Sequence, residues 1–145
     1  MATTSTTSPY TNPFQAESTY IFCFDPSANS SQRAIATHTI GYFPANFVIT
    51  QAWIHVLTTF RDADDDSATI SLGYTGAATA FDAATAISTG TTWDAAAPRV
   101  SDGAADGAVG NFITAAAGDA VLAVVADDVL TAGKLLLVCK GYTTT

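Results

Sequence analysis

Short segments in which apolar and polar residues alternate constrain this chain more than any other feature. Thr19–Asp25 reads TYIFCFD and places Tyr20, Phe22 and Phe24 on one face of an extended strand. Ala68–Leu72 (ATISL) shows the same period of two. Short strands separated by turn signals about every 8–12 residues are typical of sandwiches. The sequence therefore predicts an all-β, single-domain antiparallel β-sandwich of jelly-roll-like type.

Further segments carry β-branched and aromatic residues and predict the remaining strands: Arg33–Ile40, Phe47–Phe60, Asn111–Ala117, Ala120–Ala126 and Lys134–Tyr142. Phe47–Phe60, an Asp-rich turn and Ser67–Gly73 together predict a hairpin. Thr79–Ile87 is dominated by Ala, and we expect one or two helical turns there.

The N-terminal segment, residues 1–17, differs from the rest of the chain. It is rich in Thr and Ser, contains Pro9 and Pro13, and shows no hydrophobic period. We therefore expect an extended arm over residues 1–17 that a neighbouring subunit orders, followed by a sandwich domain over residues 18–145. Tyr10 and Phe14 are the interface candidates in the arm.

The composition is unusual for a globular protein of 145 residues. Ala (28) and Thr (23) are abundant, while charged residues make up only 12% of the chain, against about 25% in ordinary proteins. The net charge is −8, and the five Lys and Arg residues are spread singly. Direct binding to nucleic acid or to an anionic membrane is therefore not expected. The first residues lack a signal-peptide pattern, so synthesis in the cytoplasm is expected.

No catalytic or cofactor motif is present. The chain has no nucleophile-elbow or phosphate-loop pattern, and its two histidines, His38 and His55, stand apart. We predict that the protein is not an enzyme and binds no cofactor. The alternative is a hydrolase in which His38 or His55 meets an Asp in a cleft.

Asp62, Asp64 and Asp66 are the candidate calcium ligands, because they stand at alternate positions as in the opening of an EF-hand loop. The expected glycine is replaced by Ser67, and the expected acid at the twelfth position by Gly73. The EF-hand interpretation therefore fails. A solvated turn is the favoured interpretation, with a looser calcium loop as the alternative.

Two cysteines and two tryptophans leave alternatives open. Cys23 and Cys139 lie in the first and last predicted strands, where either a bridge or two buried free thiols would fit, and cytoplasmic synthesis favours free thiols. Trp53, in an apolar strand, is expected to pack in the core or at an interface. Trp93, in a predicted loop, is the candidate for an interface or a ligand contact.

The stretch from Phe43 to Phe60, FPANFVITQAWIHVLTTF, is followed by SATISLG over Ser67–Gly73 and, later, by LTAGKL over Leu130–Leu135. These stretches resemble small tailed-phage virion structural proteins of the head decoration (cement) type. The resemblance implies a protein of the capsid surface, made in the host cytoplasm, that binds the major capsid protein or other virion proteins, often as a homotrimer. The alternative function is a host-glycan-binding module of a head fibre or tail, with Trp93 and the Asp-rich loops as contacts.

Overall fold

The computed structural model describes residues 17–88, 93–95, 99–100, 112–113 and 118–143. Apart from Glu17, the predicted arm with Tyr10 and Phe14 lies outside these ranges. In chain order the strands are β1 (Ser18–Phe24), β2 (Ala36–Tyr42), β3 (Phe47–Asp62), β4 (Thr69–Tyr74), β5 (Ala77–Ala86), β6 (Arg99–Val100), β7 (Phe112–Ile113), β8 (Ala120–Ala126) and β9 (Leu130–Thr143). In the described part of the chain, the only helical element is a 3-10 turn at Ser30–Gln32.

The strands form two antiparallel sheets. The first has the order β1-β9-β3-β6, with β7 also pairing with β3, and the second has the order β2-β8-β4-β5. The prediction of an all-β sandwich is confirmed, and its jelly-roll-like connectivity stays a prediction. The terminal strands β1 and β9 pair along their length, from Ser18 opposite Gly141 to Phe24 opposite Leu135.

The hydrophobic core contains residues of both sheets, because each sheet buries alternate side chains. The largest fully buried side chains are aromatic or aliphatic: Trp93, Phe24, Phe47, Phe60, Phe81, Ile49, Ile54, Ile70, Leu72, Leu130, Leu135 and Leu137. The alternation read from the sequence of β1 is confirmed. Phe22 and Phe24 are buried, whereas Ile21 is 62% exposed.

The predicted hairpin of Phe47–Phe60 and Ser67–Gly73 is wrong. β3 pairs with β9 as far as Asp62, whereas β4 pairs with β8 and β5 in the other sheet. The loop between β3 and β4 therefore crosses from one sheet to the other. The Asp62 carboxylate accepts amide hydrogen bonds within this loop and stabilises the crossing.

The predicted helical turns at Thr79–Ile87 are also wrong, because β5 occupies most of that range. β5 pairs antiparallel with β4, with Leu72 opposite Asp82, and Phe81 is fully buried. Helix propensities differ by less than about 0.7 kcal/mol per ordinary residue. Strand pairing and the burial of Phe81 outweigh so small a local preference.

In the described ranges, no helix has the length and apolar character that crossing a membrane would require.

Candidate functional site

The solvent side of the first sheet is apolar where β1, β9 and β3 lie side by side. On β9 the buried residues Leu135, Leu137 and Cys139 alternate with the half-buried Leu136 and Val138. Successive side chains of a strand point to opposite faces of the sheet. Leu136 and Val138 therefore lie on the solvent side.

Two rows of side chains cross the three strands on this side. In each row the members are direct backbone partners: Ile21, Val138 and Trp53 in the first, and Cys23, Leu136 and His55 in the second. We call these six residues the outer patch. Directly opposed side chains have Cβ atoms about 4.5–5.5 Å apart, so the rows form a continuous surface. Ile21 and Cys23 are exposed, and the other four are partly exposed.

Two lysines border the outer patch, and both already have an acidic partner. The Lys140 ammonium lies 5.4 Å from the centroid of the Trp53 ring and 3.7 Å from a carboxylate oxygen of Glu17. Lys134 lies 3.2 Å from a carboxylate oxygen of Asp25. The border therefore carries balanced charge, and a partner needs no acidic groups to match it.

Six of the thirteen acidic residues lie in two loops that meet. They are Asp62, Asp64, Asp65 and Asp66 at the β3–β4 connection and Asp127 and Asp128 at the β8–β9 connection. The Thr69 hydroxyl donates to Asp127 at 2.9 Å and joins the two regions. Carboxylate oxygens of Asp62, Asp64, Asp65 and Asp128 all lie within 4.8 Å of one another.

Asp62 has a structural role within this cluster. Its side chain is buried, and its carboxylate accepts amide hydrogen bonds from Asp66 at 2.7 Å, Ala68 at 2.9 Å and Asp64 at 3.3 Å. Burial alone would raise the pKa of Asp62, but the hydrogen bonds from Ala68, Asp66 and Asp64 outweigh it and leave the pKa below its ordinary value.

The structure changes the set of calcium candidates read from the sequence. It brings Asp62 and Asp64 together with Asp65 and Asp128, whereas Asp66 forms an ion pair with Arg61 at 2.8 Å. Asp128 gave no local signal, because it comes from a loop far along the sequence. The solvated turn stays the prediction, and the looser calcium loop stays its alternative. The loop's own amides account for the position of Asp62 without a cation.

Trp93 is in the core, which corrects its selection as an interface or ligand-contact residue. Its side chain is fully buried, packs edge-on against Phe60 with ring centroids 5.9 Å apart, and donates from Nε1 to the carbonyl of Thr85 at 3.1 Å. Trp53, expected in the core or at an interface, lies partly exposed in the outer patch. The loop setting of Trp93 was misleading because Trp93 itself packs against the end of β3, where the amide of Phe60 donates to the Trp93 carbonyl.

The two histidines lie in different sheets, and the two cysteines lie on opposite faces of the first sheet. His38 donates from Nε2 to the Ala34 carbonyl at 2.8 Å and packs against Phe24, whereas His55 lies in the outer patch. Neither belongs to the carboxylate cluster. Both cysteines are free. Cys23 is exposed on the solvent side, and Cys139 is buried on the opposite face, where burial raises the pKa of its thiol.

Comparison with known proteins gives a likeness in fold. No family model matches the chain, and no curated protein matches it. A chain of the cyanophage Pam1 capsid asymmetric unit is similar with a TM-score of 0.62 and 14% identity, covering 94% of this chain and 91% of that chain. A chain of the acidic stable capsid structure of Helicobacter pylori bacteriophage KHP30 is similar with a TM-score of 0.57 and 11% identity, covering 90% and 94%. The protein therefore has the fold of chains found in two phage capsid structures.

Proposed function

We propose that this protein is a non-enzymatic structural protein of a phage virion. It decorates and cements the capsid surface by binding the major capsid protein as a homotrimer. The observation that carries the proposal is the likeness to the Pam1 capsid chain, which spans nearly the full length of both chains. Because a fold alone does not determine function, this proposal is an analogy from fold.

The surface of the protein supports this role. The outer patch offers an open apolar area of sheet with balanced charge at its border, as the core of a protein–protein interface requires. The six acidic residues of the two meeting loops suit a part of the molecule that faces away from packaged DNA.

The host-glycan alternative is not supported by a specific observation. It named Trp93 and the Asp-rich loops as contacts, and the aromatic contact, Trp93, is fully buried.

The test is reconstitution on particles of the encoding phage that lack this chain. Purified protein is added to such particles, and bound protein is measured by co-sedimentation and native mass. We expect saturable binding, a trimeric free protein, and the chain in mass spectra of intact virions. Absence of the chain from purified virions, or no binding to the deficient particles, would overturn the proposal.

A further inference from the structure

We infer that the outer patch is the docking surface for residues 1–16 of a second copy of this chain, an inference that rests on the proposed homo-oligomer. The patch carries no covering element among the described residues. Ile21 is 62% exposed there, although it stands beside Val138 and Trp53 in a continuous apolar row. An apolar sheet face of this kind marks an interaction site.

The N-terminal segment joins the fold at the corner of the patch. Glu17 directly precedes β1, and its carboxylate lies 3.7 Å from the Lys140 ammonium, which in turn lies over Trp53. Sixteen extended residues reach on the order of 50 Å. Three neighbouring strands span only about 10 Å from first to last. The segment is therefore several times longer than the width of the patch that it would cross.

The chemistry of the segment matches that of the patch. Residues 1–16, MATTSTTSPYTNPFQA, contain no charged side chain and include the aromatic residues Tyr10 and Phe14. Because Lys134 and Lys140 are already paired with acids, docking leaves no side-chain charge without a partner. Two aromatic side chains suit the apolar rows, since such residues supply most of the contact energy in interfaces.

The local sequence favours a second copy over the chain's own patch. Phe14–Glu17 reads FQAE and contains none of the Gly, Pro, Asn or Asp residues that a tight reversal requires. Pro9 and Pro13 favour extended backbone before it. We therefore expect the segment to continue away from its own patch and to be available to a neighbouring copy. Such head-to-tail contacts close into a ring when the rotation between copies is a fraction of a full turn, as in the proposed trimer.

The test uses a disulfide between the segment and the exposed Cys23 of the patch. The full-length Phe14→Cys variant is oxidised mildly and run on a non-reducing gel. We expect reducible dimer and trimer bands, because each copy then carries one donor thiol and one receiving thiol. Cys139 is buried, so we expect its thiol to form no disulfide in this experiment.

Two controls fix the interpretation. In the double variant with Phe14→Cys and Cys23→Ser, the trimer band should disappear. A disulfide between the residue 14 thiols of two copies gives dimers only. Adding Ile35→Cys to that variant moves the receiving thiol to another exposed isoleucine, 54% exposed and outside the patch, and should not restore the trimer. Ile21→Asp should reduce the trimer yield at least tenfold, and Ile35→Asp should leave it unchanged.

Three outcomes would overturn the inference: an intramolecular disulfide in monomers, free thiols throughout, or equal trimer yields with the receiving thiol at residue 23 or 35. Because the experiment needs no capsid, its failure is separable from that of the proposed function. Protein that binds deficient particles but gives no trimer band would overturn only the docking of the segment. Trimer bands without particle binding would overturn only the capsid role.

Discussion

The amide of Ala68 donates to the carboxylate of Asp62 at 2.9 Å, and this hydrogen bond spans the loop that joins the two sheets. Asp62 ends β3 in the first sheet, and Ala68 immediately precedes β4 in the second. The same carboxylate accepts from the amides of Asp64 and Asp66. One buried side chain thus satisfies three backbone donors of the crossing loop.

Replacing Asp62 should therefore destabilise the fold. Asp62→Ala leaves three loop amides without their acceptor, and we expect the free energy of unfolding to fall by about 1–3 kcal/mol. Urea unfolding followed by tryptophan fluorescence measures it. Asp65→Ala is the matched control, because Asp65 is exposed and accepts from Ser67. Equal losses in the two variants would contradict the structural role of Asp62.

The ionised Asp64 carboxylate, unlike that of Asp62, should lower the stability of the folded protein. The amide of Asp65 lowers the pKa of Asp64, but the hydrogen bond with Asp128 and the charges of Asp65 and Asp128 raise it, and the net direction is upward. Because a raised carboxyl pKa favours the protonated folded form, the stability that Asp64 contributes is present at low pH and lost as pH rises through its folded-state pKa.

We therefore expect Asp64→Asn to raise the melting temperature at about pH 7, with a gain that shrinks as the pH falls below the ordinary carboxyl pKa of about 4. Thermal unfolding across this pH range measures the gain. Asp94→Asn, outside the cluster, removes one charge and serves as the control. A gain from Asp64→Asn that does not change with pH would contradict the assignment.

The two tryptophans should respond differently to replacement, because Trp93 lies in the core and Trp53 in the outer patch. Trp93→Ala removes a fully buried side chain and should cost about 3–5 kcal/mol of stability. Trp53→Ala should cost much less. Acrylamide should quench the fluorescence of the isolated protein mainly through Trp53. Similar stability losses, or quenching that persists in Trp53→Phe, would contradict this placement.

Gly141 allows a close approach of β9 to β3. A Cβ atom at this position would overlap the carbonyl oxygen of Val48, which belongs to the neighbouring backbone. Gly141→Ala should therefore cost about 1–3 kcal/mol through strain or strand displacement. Gly76→Ala is the control, since its Cβ meets no atom and only the positive φ of +87° opposes it. Urea unfolding should show the larger loss for Gly141→Ala, and a reversed order would contradict this close approach.

Local patterns in the sequence predicted much of the fold. Alternation identified β1 and the residues that share each of its faces, and β8 was assigned with the observed bounds, Ala120–Ala126. These predictions hold because a strand with one buried face carries apolar residues at alternate positions of its sequence.

The remaining features depend on contacts between distant residues. The placement of β3 and β4 in different sheets follows from their pairing with β9 and β8. The joining of Asp128 to Asp62 and Asp64 depends on the meeting of two loops. Predicting the outer patch also requires the strand register, because only strand pairing shows that Ile21 and Trp53 flank Val138. The periodicity of one segment does not indicate which distant segment it pairs with or contacts.

The pairing of β1 with β9 also sets the order in which the protein can be completed. Ser18 lies opposite Gly141 and Phe24 opposite Leu135, so β1 can pair only after β9 has left the ribosome. Until then, Phe22 and Phe24 have no sheet to cover them, and closing such a long loop is slow. A chain truncated before β9 lacks the central strand of the first sheet. Synthesis through β9 therefore acts as a checkpoint, and only chains that contain β9 present the surface formed by β1, β9 and β3.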